Sequence, residues 1–190
     1  MPKNYEIKFP VENYNQIKKR AVSLRGKYQS YNNYTEAQRD FYYKTKKSRL
    51  KLRIINSNVG SLIFYDRNEE ETKRISEYLL VRTKDHAELK TILDNLFDKL
   101  IIVSKKREVF IYDNIRVHLD KVKDLGCFLE FEIIFSSLEK AKKQMKEMIE
   151  HFGLDENQFI KNSYSDMLLG QSKKKKVVKD AVVKETEIAE

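Results

Sequence analysis

The feature that most constrains this chain is the chemistry on the polar side of its alternating segments. In "RLKLR", "KKREVF", "RVHLD" and "CFLEFEII", large apolar residues alternate with charged ones, so each segment reads as a strand with one apolar and one ionic face. A sheet with one wet face also alternates, but its outer residues are commonly a mixture of Thr, Ser, Gln and Lys. Here guanidinium and ammonium groups recur from strand to strand at Lys8, Arg49, Lys51, Arg53, Arg74, Lys105, Arg107 and Arg116. A smaller acidic set, Glu6, Asp40, Asp120, Glu130 and Glu132, accompanies them.

The rest of the chain supplies the frame for those faces. "YEIKF" reads as a strand, and "VENYNQIKKRAVSL" as a helix with Val11, Tyr14, Ile17, Ala21 and Leu24 on one stripe. "QRDFYYK" and "SRLKLRII" suit a hairpin, and "GSLIFYDR" follows the turn "NSNVG". After the loop "NEEETK" come a strand, "RISEYLLVR", and a helix over "DHAELKTILDNLFDKL". The turns "DN" and "KDLG" join "IIVSKKREVFIY", "IRVHLDKV" and "CFLEFEII" into three consecutive strands. Ser136 or Ser137 caps a helix, "LEKAKKQMKEMIEHFG", that stops on a glycine, and a short helix covers "ENQFIKNSYSDMLL". About eight strands, mostly in hairpin order with helices between some of them, make an α+β pattern. One domain is expected over residues 1–170, followed by a flexible, charged, Lys-rich tail over 171–190 that lacks aromatics.

Charge bears on the partner. The last twenty residues hold six Lys against four acids, so the body keeps +7 of the formal net charge of +9 and itself attracts anions. The single Cys127 cannot form an intramolecular disulfide, and a thiolate zinc site has no partners for it. With no signal-peptide core or membrane-length apolar run in the sequence, the expectation is no membrane and a cytoplasmic location, with a nuclear one as the alternative offered by the tail.

If the ionic faces converge, as in a sheet curled into a barrel, each uncompensated buried charge costs roughly several kcal/mol. The interior must then be wet or hold a counter-charged ligand. A polyphosphate with bound Mg²⁺ or Mn²⁺ meets both demands, because Arg and Lys match phosphate oxygens while carboxylates take hard cations. Nucleic acid is disfavoured, since carboxylates in phase with the cations repel a phosphate backbone.

The segments "YEIK", "RLKLR", "LIFYDR", "RISEY", "KKREVF", "RVHLD" with "VKDLGCFLEFE", and "SYSDMLL" come in an order that resembles CYTH domains, also called triphosphate tunnel metalloenzymes, over residues 4 to 169. The resemblance leans toward the class IV adenylate cyclase-like and thiamine triphosphatase-like branch. It implies an eight-stranded antiparallel β-barrel forming a tunnel with flanking helices, and a small-molecule triphosphate substrate. It implies Glu6, Glu130, Glu132 and Asp120 as metal ligands for Mg²⁺ or Mn²⁺, Asp120 alternatively orienting the attacking group. Lys8, Lys51, Arg53, Arg74, Lys105, Arg107 and Arg116 are the implied triphosphate-binding set, with Lys8 and Asp120 as catalytic residues. Two departures stand out: Asn4 replaces the first acid of the family's E-x-E-x-K signature, and Asp66 followed by Arg67 stands where many members carry Lys. The leading expectation is a metal-dependent phosphohydrolase, with an adenylate cyclase and a non-catalytic polyphosphate or nucleotide binder as alternatives; monomer and homodimer are both left open.

Overall fold

The computed structural model describes residues 3–46, 48–65, 74–76 and 78–173, with residues 3 and 74–76 described by their backbone alone. The strands are β1 (Lys3–Pro10), β2 (Tyr31–Tyr43), β3 (Arg49–Ile55), β4 (Val59–Tyr65), β5 (Arg74–Ser76), β6 (Tyr78–Thr83), β7 (Lys99–Tyr112), β8 (Ile115–Val122) and β9 (Gly126–Phe135). The helices are α1 (Tyr14–Ser23), α2 (His86–Leu96), α3 (Leu138–Phe152), a 3₁₀ turn at Glu156–Gln158, and α4 over 164–173.

Every strand pairing is antiparallel, in the order β5-β1-β9-β8-β7-β2-β3-β4-β6. The two outermost strands of that order, β5 and β6, are a single residue apart in the chain. Two segments adjacent in the chain therefore pair with β1 at one end of the order and with β4 at the other, which brings the edges of the sheet together. With β5 and β6 taken as one, this is the expected eight-stranded antiparallel barrel, and closure removes the exposed edges that an open sheet leaves unpaired.

Strand alternation decides what lies inside. Phe131 and Ile133 point outward, where α1 and α3 cover them in a core that includes Phe9, Ile17, Leu129, Met145 and Phe152. On the far side α2 lays Leu89 and Leu93 over Phe41, Tyr43 and Leu52. The helix α4 adds Met167 and Leu168 to a third cluster, with Tyr164, Val103, Val122 and Phe128. The first two clusters are thus the outer shell under the helices, while the ionic faces, with Val103, Val122 and Phe128 of the third cluster in step with them, are turned inward.

Turn chemistry matches the hairpins. Asn56 and Ser57 take positive φ between β3 and β4, Asp113 does so between β7 and β8, and Asp124 and Gly126 between β8 and β9. Ser137 caps α3 through Lys140 N, and Gly153 ends that helix at φ 56°.

Three boundaries differ from the sequence reading. β2 begins at Tyr31 and pairs with β7 over its whole length, so the polar run "YNNYTEA" is strand rather than loop. The second helix stops at Leu96, because Phe97 is extended and Lys99 is already paired with Tyr43. The last helix starts later, at 164, where Ser163 Oγ accepts from Asp166 N and Asp166 Oδ2 accepts from Ser163 N, a reciprocal capping box. It runs to 173; residues 174–190, most of the expected tail, lie outside the described residues, as do Asp66 and Arg67.

Candidate functional site

Residues two apart share a strand face, so each ionic pair or triplet of the sequence enters the barrel together. β1 brings Asn4, Glu6 and Lys8, β9 brings Glu130 and Glu132, and β8 brings Arg116 and His118. β7 contributes Lys105 and Arg107, β3 Lys51 and Arg53, and β2 Glu36, Gln38, Asp40 and Tyr42. All of them line one cavity of about 640 Å³. Among the described residues, seven cationic side chains and five carboxylates face it.

The cations are organised as two similar forks. On β3, Arg53 donates through Nε and Nη2 to the two oxygens of Asp40, both at 2.7 Å, and Lys51 Nζ reaches Asp40 Oδ2 at 3.1 Å. On β7, Arg107 donates through Nε and Nη2 to the two oxygens of Asp120, at 2.7 and 2.6 Å, and Lys105 Nζ reaches Asp120 Oδ2 at 3.3 Å. Each fork is a Lys-x-Arg pair on one strand held by an aspartate on its neighbour, with Asp40 opposite Arg53 and Asp120 opposite Arg107 in register. A tyrosine attends each: Tyr42 OH lies 3.5 Å from Lys51 Nζ, and Tyr164 OH donates to Asp120 Oδ2 at 2.8 Å. Bidentate guanidinium geometry of this kind also matches phosphate oxygens.

Burial sets the electrostatics. Asp40 and Asp120 are 2% and 0% exposed. Burial pushes both carboxyls up, but Arg53 with Lys51, and Arg107 with Lys105, outweigh it and hold them well below the carboxylate range. Lys105 is pulled down to about 7, by burial first and by Arg107 second, against the upward pull of Asp120. Tyr164 is pushed well above the phenol range, by burial and then by Asp120, so it remains a donor.

The acidic end lies where β1, β9 and β8 meet. Glu6 is directly opposite Glu132, and Lys8 opposite Glu130. Glu130 accepts from Arg107 at 3.0 Å and pairs with Lys8 at 3.2 Å. His118 Nδ1 is 3.0 Å from the same carboxylate. Burial, and next Arg107, lowers the imidazole pKa, so this contact is a neutral ring donating Nδ1–H to Glu130. Glu132 receives the Asn4 amide and lies 3.5 Å from Arg116 Nη1. Among the described residues, no three Asp, Glu, His or Cys side chains form a group that could hold a metal ion. The donor set nonetheless suits a hard cation: Glu6 and Glu132 face each other across adjacent strands, with Glu130 next along β9 and the Asn4 amide beside them. The oxygens of Asp120 are all engaged by Arg107, Lys105 and Tyr164.

Of the residues expected from the sequence, Glu6, Lys8, Lys51, Arg53, Lys105, Arg107, Arg116, Glu130 and Glu132 share the cavity. Asp120 lies in the wall behind Arg107. Arg74 stands opposite Glu6 by its backbone, and its side chain lies outside the described residues. Arg49 turns away from the forks toward Ser163, Ser165 and Asp166. Gln38 joins Asp40 and Tyr42 there, as alternation on one strand face predicts, and Tyr34, Glu36, Arg82 and Tyr164 also line the cavity, although the sequence did not single them out. Phase carries the signal for most of these: Tyr34 and Glu36 are in step with Gln38 and Asp40 once β2 is recognised as longer, and Arg82 is in step with Tyr78. Tyr164 comes from a helix end, where no strand alternation points to it.

The CYTH domain model matches residues 2–164. A Methanocaldococcus jannaschii protein, named provisionally as an adenylate cyclase, is 26% identical over 102 residues, which are 52% of this chain; the match spans 58% of the length of that curated relative. Among solved structures, a Pyrococcus horikoshii OT3 protein superposes with a TM-score of 0.75 at 24% identity, over 86% of this chain and 98% of that one. A Vibrio parahaemolyticus protein, also provisionally named an adenylate cyclase, gives 0.72 at 18% identity, over 87% and 97%.

Proposed function

The chain belongs to the CYTH domain family, and from that premise we propose that it is a divalent-metal-dependent phosphohydrolase acting on a triphosphate held inside the barrel. The observation that carries this reading is the pair of Lys-x-Arg forks facing one cavity. A chain of three phosphates offers a row of anionic oxygens, and the forks offer four donors already in place. Inorganic tripolyphosphate, a nucleoside triphosphate and thiamine triphosphate all present that row.

Each residue has a definable task. Arg53 and Lys51 bind phosphoryl oxygens from one wall, and Arg107 and Lys105 from another. Asp40 and Asp120 stay ionised, hold those cations in position, and keep the reorganisation on binding small. Asp120 orients Arg107 and Lys105 rather than moving a proton, since three donors engage its carboxylate. Lys8, between Glu130 and the ring of Tyr164, stabilises charge on the phosphoryl group under attack. Glu6 and Glu132, with Glu130, would hold Mg²⁺ or Mn²⁺, which neutralises substrate oxygens and lowers the charge that the nucleophile meets. Water forms a bond to phosphorus as a bridging P–O bond breaks, and the departing phosphate keeps the electron pair.

A second reading is favoured by the names of the relatives. In an adenylate cyclase the nucleophile is the ribose 3′-hydroxyl of ATP, and the adenosine would lie against Tyr34, Tyr65, Tyr78 and Leu80, which line the same cavity. A non-catalytic polyphosphate or nucleotide binder is the third, favoured by Asn4 in place of an acid. Incubation with tripolyphosphate, ATP and thiamine triphosphate, each with Mg²⁺ or Mn²⁺, separates the three. Free phosphate from wild type and little from Glu130→Gln supports hydrolysis. Cyclic AMP without free phosphate overturns it in favour of the cyclase, and tight binding without product overturns it in favour of the binder.

A further inference from the structure

The outer side of the barrel carries a second cavity, of about 820 Å³, between α2 and the β2–β7–β8 wall. Six cations line it: Arg39, Lys90, Lys105, Lys106, Lys121 and Lys123; no Asp or Glu does. This inverts the pattern inside the barrel, where carboxylates accompany the cations. Among the described residues Lys90 pairs with Asp94 at 2.5 Å and Lys105 with Asp120 at 3.3 Å, and the other four have no carboxylate partner. Lys106 and Lys121 are directly opposite each other on β7 and β8, and Arg39 is opposite Ser104, one step along the same face. Like charges in direct cross-strand register are unfavourable on their own. The first turn of α2 opens into the same groove with His86 and Ala87, and the side chain of its N-cap, Asp85, makes no capping bond. His86 Nδ1 is buried with no partner among the described residues. The unpaired cations favour an anion.

The floor narrows the choice. It is apolar, formed by Ala37, Phe41, Ile54 and Val122. Phe41 is 4% exposed, with Arg39 and Lys90 over its ring at 5.1 and 5.0 Å, so it offers no open face for a stacked base. Single-stranded nucleic acid binding relies on such platforms, and a phosphate backbone brings nothing to fill an aliphatic floor. A peptide with carboxylates among apolar side chains meets both surfaces.

We propose that this groove is a docking site for an acidic segment of a partner protein that carries apolar side chains between its carboxylates. The carboxylates pair with Lys106, Lys121, Lys123 and Arg39, and the apolar side chains rest on Ala37 and Ile54. The groove meets the barrel interior only at Gln38 and Lys105, which line both cavities, and the proposal does not rest on the phosphohydrolase reading.

The test uses the full chain and three labelled probes of equal charge: a synthetic peptide with leucines spaced among glutamates, an all-glutamate peptide, and oligouridylate. In fluorescence anisotropy the leucine–glutamate peptide is expected to bind at least ~10-fold more tightly than either of the others. The charge reversal Lys106→Glu with Lys121→Glu should weaken it by ~10-fold or more, while tripolyphosphate binding by calorimetry stays unchanged and shows the variant folded. Tighter binding of oligouridylate with a steep salt dependence overturns the proposal in favour of nucleic acid. Equal binding of the two peptides, or indifference to the charge reversal, overturns it as well. Self-association of the chain that the reversal abolishes would assign the groove to a second copy instead.

Discussion

Replacing Asp40 with Asn tests whether the buried aspartates stand in for the anion that the barrel binds. Asp40 takes both Arg53 bonds at 2.7 Å and the Lys51 contact at 3.1 Å, at 2% exposure. An amide in its place turns an N–H₂ donor toward these donors and leaves two cations without their counter-charge. Removing one partner of a buried pair costs roughly 3–5 kcal/mol. For a chain of this size each kcal/mol moves Tm by about 2–4 °C, so a fall of roughly 6–20 °C is expected. Saturating tripolyphosphate should then stabilise the variant more than wild type, because its oxygens replace those that Asp40 supplied. At about 100 times Kd a ligand adds ~2.7 kcal/mol wherever it binds only the folded state. The variant should exceed the wild-type shift by ~2 kcal/mol or more, about 4–8 °C. Differential scanning fluorimetry with and without tripolyphosphate reads both numbers. An Asp40→Asn protein as stable as wild type, or one that tripolyphosphate stabilises no further than wild type, would refute the fork as an anion site with an internal counter-ion.

Other expectations follow from single contacts. Burial raises the Asp40 carboxyl and Arg53 with Lys51 lower it further, so its stabilisation is present above the unfolded pKa of about 3.9 and is lost as pH falls through the lower folded value; acid unfolding of wild type should therefore lose stability more steeply below about pH 4 than that of Asp40→Asn. Tyr164→Phe removes the 2.8 Å bond to Asp120 while keeping the ring beneath Lys8 and Lys105, and should cost about 1–3 kcal/mol in denaturant unfolding. Gly153→Ala places a methyl group at φ 56° and 2.6 Å from Arg20 Nη1, so urea unfolding should show a loss of roughly 1–2 kcal/mol with turnover unchanged.

What the sequence discloses here is the face, and what it withholds is the partner. Period-two alternation places Lys105 with Arg107, and Glu130 with Glu132, on one side of their strands whatever the tertiary structure. It cannot say that Asp40 lies opposite Arg53, because that pairing depends on the register between β2 and β3, which the two bonds between Asn56 and Ala37 hold at one end. The first half of β2 is hidden for a different reason: Asn32, Asn33 and Glu36 have low strand propensity, and their strand state comes from pairing with β7. The last helix was open to a closer reading, since Ser163 and Asp166 have the spacing of a capping box. That β5 pairs with β1 while β6 pairs with β4 has no local signal at all.

The register explains why so many charges can stay inside the protein. Each aspartate faces a guanidinium across the ladder, and each lysine two residues away reaches the same carboxylate, so four cations are held in place before any ligand arrives. Preorganisation of this kind lowers the cost of binding, yet the aspartates also compete with the ligand for the same donors. The balance can be read at Lys105, which is pulled down to about 7 although Asp120 lies 3.3 Å away, because burial first, then Arg107 and Arg53, outweigh the upward pulls of Asp120 and Asp40. Arg53 and Asp40 belong to the other fork, so the two forks share one field. An anion that touches both relieves both, whereas a monophosphate that reaches only one leaves the other as it was. The barrel should therefore discriminate by the length of the phosphate chain, and its affinity should rise more than additively from phosphate to tripolyphosphate.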